Sequence, residues 1–400
     1  MQLTSRQLTH IYFLFALVVL AFAACVNMRM QEGLDMQATL GRYSTALALA
    51  VWGTSALKTV IFTDYQVYMP SLPVKAYVVF FMWAVISTVL NGTYPTTVQL
   101  LLDVIFLTLP MVLLVVTYNT MCNYGPSRWD VPVFCLMMLM MLFQYMLIFR
   151  EQNIFLTHTH LLVSYYMLYM LPLVFLSKSK AVRIIFTLFA TIAVVSSVKR
   201  AGLLALALAL LTYLVSWMFV SKRLKVTTVV FGLIGLTAFG FIVYLVGSSD
   251  ENNNVFERFE NIGDDNGSNR VLVWQTTAAM IEKSDIDNYV TGHGYNSVVG
   301  DSPIGLSAHN DFLEVTYDYG LIGIVLYVFA IVTTLAYLLK LLWAKSEYAP
   351  PLAMLMVLYL SLSMMSHVII YFFANIVMLT IGYIAGNNER ELCSEPTESY

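Results

Sequence analysis

Of the chain's 400 residues, 59% are hydrophobic and only 11% are charged. A water-soluble chain carries roughly 25% charge, so 21 Lys+Arg and 24 Asp+Glu are too few to coat a soluble surface. Long continuous apolar runs exclude an outer-membrane barrel, whose strands alternate every second residue. A net charge of -3 without a dense basic patch excludes nucleic-acid binding. What remains is an all-α polytopic membrane protein.

A spanning helix needs roughly 20 mostly apolar residues. Such runs predict twelve spans, at about 11–26, 44–62, 74–90, 98–117, 131–149, 160–177, 181–197, 201–220, 226–247, 319–339, 351–366 and 368–386. The last two are separated only by Ser366 and His367 and could instead be one tilted helix plus a re-entrant segment. Lys and Arg of short loops are retained in the cytoplasm. With both termini inside, twelve of these bases face the cytoplasm, including Lys178, Lys180, Arg183, Lys222, Arg223 and Lys225, and only Arg29, Arg42, Arg150, Lys199 and Arg200 face outward.

The predicted organisation is therefore nine spans over 1–247, a large outer loop over 248–318, three spans over 319–386 and a cytoplasmic tail over 387–400. The loop holds thirteen of the 24 acids against three bases, Arg258, Arg270 and Lys283. Loops of that length are usually functional. It contains none of the four cysteines, which excludes a disulfide framework and a thiolate metal cage there.

The informative residues are cations on the outer side. Lys199 and Arg200, in SSVKRAG, open the eighth span, where they oppose the positive end of the helix dipole. An anion docking there would relieve that cost, against the ordinary reading of two snorkelling side chains. In GSNRVLVW, Ser268 or Asn269 can cap a helix with Arg270 in its first turn and an apolar face of Val271, Trp274, Ala278 and Ile281. In SAHNDFLEVTYDYGLIG, Ser307 is the expected cap, and the helix after it would set His309 over Leu313 and Asn310 over Glu314. An imidazole would then sit at the lipid–water boundary.

Other polar groups are expected to be structural. His158 and His160 lack an apparent third metal ligand except Glu151. Asp285 and Asp287 read as a solvated turn, Arg258 as a surface residue between Glu257 and Glu260, and His293 and His367 as structural histidines. Asp103 and Lys58, the charges inside spans, are too few and too peripheral for an ion relay.

These residues together resemble the O-antigen ligase and polymerase family of bacterial envelopes. The carriers of the resemblance are the span opening at Ser196 to Leu204; Gly267, Arg270 and Trp274; the G-x-G of Gly292 and Gly294; and H-N-x-x-L-E with a later G-x-x-G, at His309, Asn310, Leu313, Glu314, Gly320 and Gly323. They lie within about residues 180 to 340. The resemblance implies transfer of a glycan from undecaprenyl diphosphate, on the periplasmic face of the inner membrane, to an acceptor that is either lipid A core or another lipid-linked glycan. It implies no metal, nucleotide or other cofactor. Arg200 and Arg270 would clamp the departing diphosphate, since guanidinium forks match its oxygens. His309 would take the proton of the acceptor hydroxyl, and direct displacement would invert the anomeric centre. Lys199, Asn310, Glu314 and Trp274 are the expected substrate-binding residues. Two rivals are a flippase for the same lipid-linked glycans and a metal-dependent transferase using Glu32 and Asp35. The flippase would call for charged or broken helices at the bilayer midplane, whereas the polar residues here gather at one surface.

Overall fold

The computed structural model describes residues 4–32, 38–55, 66–94, 96–152, 161–197, 199–221 and 270–394, and all the regular structure among them is helical. The predicted ninth span, the loop up to 269, Lys58, Asp35, His158, His160 and Arg258 lie outside the described residues.

In chain order the described helices are α1 (Ser5–Gln31), α2 (Ala38–Thr54), α3 (Leu72–Asn91), α4 (Thr97–Tyr124), α5 (Asp130–Glu151), a short 3-10 turn (Leu162–Ser164) leading into α6 (Tyr165–Val174), α7 (Lys180–Ser196) and α8 (Arg200–Ser221). Then come α9 (Arg270–Lys283), α10 (Ile286–Thr291), α11 (Ser297–Asp301), α12 (Asp311–Trp343), α13 (Ala349–Met365) and α14 (Phe373–Ser394). Among the described residues, six helices are long and apolar enough to cross a membrane: α1, α3, α4, α5, α8 from Ala201, and α12. Leu162–Val174 and Ala349–Met365 are shorter apolar helices. The protein is thus a multi-pass membrane protein.

The expected sixth span is where the sequence reading departs most from the fold. Within the span expected over 160–177, α6 is ten residues long and every one of them is buried in protein. Only a helix that lipid surrounds must satisfy its backbone across the full bilayer by itself; a segment enclosed by other helices escapes that rule. Apolar composition alone cannot separate the two cases. Around α6, Tyr166 and Tyr169 pack their rings against Phe373 at the start of α14.

α14 runs along α4 at very short range. A Cβ added to Gly382 would meet the Leu114 carbonyl oxygen at 2.6 Å, and one added to Gly386 would meet that of Tyr118 at 2.4 Å. Two glycines four apart on one helix face let the backbones touch, the usual device where lipid gives no hydrophobic drive for helix pairing.

Side-chain hydrogen bonds join α10 to α3 and α3 to α12. Ser87 donates to the Thr291 carbonyl at 2.6 Å, Trp83 Nε1 donates to the Tyr319 carbonyl at 2.9 Å, and Asn91 Nδ2 donates to Thr291 Oγ1 at 2.9 Å. The glycines of the two family motifs meet here. Gly292 has φ of +88° and Gly320 has φ of +69°, a region open to glycine at no steric cost. A Cβ on Gly320 would lie 2.4 Å from the Val290 carbonyl oxygen, and one on Gly292 would lie 2.2 Å from that of Asp318. Gly320 also breaks the helical geometry inside α12, so the helix consists of an N-terminal segment from Asp311 and a long apolar segment after the kink.

The Asp318 carboxylate closes the seam. Its two oxygens accept from the Asn296 amide at 2.8 Å and the Val298 amide at 3.1 Å, which fixes the turn into α11. His293 stacks flat on Tyr317, with ring centroids 4.0 Å apart, and its Nδ1 meets the Tyr317 carbonyl oxygen at 3.0 Å. Asp285 caps α10 by accepting from Asn288 N at 2.8 Å.

Candidate active site

The H-N-x-x-L-E segment forms a corner, and its helix starts later than the sequence reading placed it. Asn310, not Ser307, is the cap of α12: its side-chain oxygen accepts from Phe312 N at 2.9 Å and Leu313 N at 3.3 Å. A short amide reaches the first free N–H groups of a helix better than a hydroxyl three residues upstream can. His309 therefore precedes the helix and does not lie over Leu313. Its φ is +50°, in the left-handed region where histidine is one of the few non-glycine residues enriched. Glu314 reaches back over the corner, and its Oε2 accepts from Ala308 N at 2.8 Å. Cap and carboxylate together hold residues 308–310 from both sides.

That corner turns the His309 ring toward His367, with centroids 4.9 Å apart. His367 belongs to the non-helical break between α13 and α14 and is fully buried. Its Nε2 lies 2.8 Å from Ser307 Oγ, and its Nδ1 lies 3.7 Å from Glu314 Oε2 and 3.9 Å from Asp311 Oδ1. Asp311 anchors this break: it accepts from Val368 N at 3.0 Å and from Ser363 Oγ at 2.8 Å. The sequence alone reads His367 as a structural histidine. No local pattern identifies it, because its polar neighbours in space, Ser307, Asp311 and Glu314, are more than fifty positions away.

Two expected cations converge on the same corner. Burial pushes the His309 imidazole down to about 4, and the positive charges of Arg270 and Lys199 push in the same direction. His367 is held well below the usual histidine range by burial, by His309 and by Arg270. Arg270 is the first residue of α9, and Lys199 directly precedes α8, where its carbonyl accepts from Leu203 N at 3.2 Å. Arg200 opens α8, and its side chain lies outside the described residues. A Cβ on Gly202 would meet Tyr165 Cε1 at 2.9 Å, so the small residue after the KR pair lets the start of α8 approach α6 closely.

One turn after Arg270, Trp274 is half-buried, and its indole N–H is shielded from solvent with no acceptor among the described residues. The apolar face of α9 differs from the expected one: Val273 and Thr277 are buried, while Val271 and Ala278 are exposed. Met280, Ile281 and Leu313 cover a small cluster of Val298, Ala308 and Tyr317. This cluster packs the loop helices beneath the corner, a partner that an isolated helix pattern could not anticipate.

Glu32, at the end of α1, accepts from Val163 N at 3.0 Å. Burial raises its carboxyl above the usual range, against the pull of the Val163 amide and of Lys199. Among the described residues, no group of three or more His, Cys, Asp or Glu side chains is arranged to hold a metal ion.

Chemically, the corner offers a neutral imidazole next to two cations, at the edge of the loop helices. Such an arrangement can accept a proton from a hydroxyl while cations stabilise a departing anion. Comparison with curated proteins finds no match. Residues 185–328, which carry the KR pair, Arg270 and His309, match the O-antigen ligase family, so the resemblance read from the sequence holds across the segment that builds this site.

Proposed function

We propose that this protein transfers a glycan from undecaprenyl diphosphate to an acceptor sugar at the periplasmic face of the bacterial inner membrane, as an O-antigen or exopolysaccharide ligase or polymerase. The observation that carries this reading is the neutral His309 imidazole, held in a left-handed corner beside Arg270 and Lys199. In the twelve-span arrangement with both termini cytoplasmic, this corner faces outward, because Lys199 and residues 248–318 share that side. The lipid-linked donor is available there.

In the proposed reaction the acceptor oxygen attacks the anomeric carbon of the donor, and its proton passes to the His309 imidazole. The bond from the anomeric carbon to the phosphate oxygen breaks, and the electron pair leaves with the lipid diphosphate. Arg270 meets the accumulating charge with its planar fork, Arg200 is the second clamp and Lys199 adds a point charge. Trp274 supplies a buried N–H donor to the glycan or its phosphate. Glu314 and Asn310, the expected substrate binders, contribute by fixing the corner: both are engaged with backbone amides. Direct displacement inverts the anomeric configuration.

The test is transfer by purified protein in lipid nanodiscs, supplied with lipid-linked donor and, in separate reactions, lipid A core or a lipid-linked repeat. A new glycosidic bond is expected, with the better acceptor separating ligase from polymerase. If no bond forms while vesicles containing the protein move the donor across the bilayer, the reading is wrong and a flippase takes its place.

A further inference from the structure

Beside Ser307 lies a cavity of about 260 Å³. It is bounded by Asn27 and Gln31 at the end of α1, Arg42 of α2, Asp103 of α4, and Tyr295 and Tyr371. The volume falls just below the roughly 300–1,000 Å³ of pockets for drug-sized ligands, which is the scale of one monosaccharide rather than an oligosaccharide. Its position is defined by two contacts: Ser307 lines it and meets His367 Nε2 at 2.8 Å, and Tyr371, also in its wall, has its ring 5.4 Å from that of His367.

The lining has the chemistry of a hydroxyl-rich, neutral ligand. Among the described residues that line it, the one cation, Arg42, faces the one anion, Asp103, with Nη2 at 3.5 Å from Oδ1. That ion pair is loose, and no hydrogen bond between described residues takes up either side chain. Arg42 thus keeps N–H donors and Asp103 keeps lone pairs with which to meet hydroxyl groups. The Gln31 carbonyl oxygen is buried and makes no hydrogen bond of ordinary geometry, although the Tyr166 hydroxyl is close by. With the Tyr166 hydroxyl as its nearest donor, this oxygen keeps a second lone pair that can accept an O–H from a ligand. The aromatic rings of Tyr295 and Tyr371 offer apolar faces suited to the C–H face of a sugar ring. A diphosphate, in contrast, would find here no cation that is not already facing a carboxylate.

Resting on the transferase reading, we infer that this cavity holds the acceptor sugar and presents its nucleophilic hydroxyl to the histidine pair, while the donor diphosphate is held by Arg270 and Lys199. Arg42 and Asp103 are then specificity residues for the acceptor and take no part in bond breaking.

The test uses the full chain in nanodiscs, with the Arg42→Gln/Asp103→Asn double variant and, separately, Gln31→Met, which keeps the side-chain length and removes the carbonyl. The double variant leaves neither charge unpaired. Two readouts are taken: calorimetric binding of core oligosaccharide freed of lipid, or of a lipid-linked single repeat, and steady-state transfer with donor and acceptor varied in turn. The expected result is a rise of at least about tenfold in acceptor Kd and acceptor KM, with kcat and donor KM within about twofold of wild type. Unchanged acceptor binding in either folded variant would overturn the assignment, as would a rise in donor KM alone. Wild-type protein that binds the acceptor glycan but transfers nothing would sink the transferase reading and leave the binding site standing.

Discussion

If His309 is the base, its environment fixes the acid side of the pH profile. An imidazole of ordinary pKa, near 6.5, is about ten parts protonated to one part neutral at pH 5.5. With the pKa pushed down to about 4, the ratio reverses to about one part protonated in thirty at the same pH. The usable base at pH 5.5 is then about tenfold greater than for an unperturbed histidine. The sign follows from the cause: burial and two nearby cations disfavour the protonated form, so the base persists to lower pH instead of being lost earlier. For kcat/KM, which reports the free enzyme, the expected profile is flat from about pH 5.5 to 8, with the acid limb near 4. Lys199→Gln removes the weaker cation and should move that limb upward, while burial, the larger cause, still holds it below 6.5. The assay is transfer in nanodiscs at subsaturating donor across this pH range, with unfolding followed in parallel to exclude loss of protein at the acid end. An acid limb between 6 and 7 in wild type, or one that Lys199→Gln shifts downward, would refute the reasoning.

Other expectations follow from the same contacts. His309→Ala should abolish transfer and leave expression and the thermal midpoint near wild type; a wild-type rate in this variant would remove the base assignment. Arg270→Lys keeps the charge but loses the planar fork, so kcat should drop by tenfold or more while His309 stays neutral, and an unchanged kcat would argue against a clamp at that position. Gly320→Ala places a Cβ 2.4 Å from the Val290 carbonyl oxygen at a positive φ, which should destabilise the protein by more than about 1 kcal/mol. Gly300→Ala, which has open space around its Cβ, is the matched control and should leave the melting curve unchanged. Activity should survive excess chelator, and loss of transfer that added divalent metal restores would revive a metal-dependent mechanism.

What draws the corner's cations out of the sequence is physical: charge is scarce in a membrane protein, so each cation in a short loop stands out. Lys199, Arg270 and His309 could be picked from a background of Leu, Val and Ala. Contacts formed over long sequence distances could not be read. His367 enters the site through Ser307 and Glu314, and Arg42 finds Asp103 across two helices; neither pairing leaves a periodic trace. The helix register at 307–314 was misjudged because Ser307 and Asn310 are both good cap residues, and only the fold, with Glu314 reaching back to Ala308 N, decides for Asn310. Burial of α6 was hidden for a similar reason: a helix enclosed by protein and one enclosed by lipid are written in the same residues.

The H-N-x-x-L-E segment devotes three of its four named residues to placing the fourth. Asn310 caps α12, Leu313 packs against the cluster of Val298, Ala308 and Tyr317, and Glu314 ties down Ala308 N. Each constraint acts within a few residues of His309, and together they keep it in the left-handed region, a conformation that persists only where the surroundings over-determine it. Asp311, between them in sequence, does the same for the opposite wall by accepting from Val368 N, next to His367. One turn of chain thus constrains the backbone beside both histidines. A substitution at Asn310 should consequently cost more activity than stability: loss of a cap is worth about 1 kcal/mol, whereas a corner that relaxes would displace the His309 imidazole. Asn310→Ala with a thermal midpoint near wild type and a kcat reduced by tenfold or more is the expected outcome, Asn310→Asp should restore both, and equal, proportionate losses of stability and activity would mean that the cap serves the helix alone.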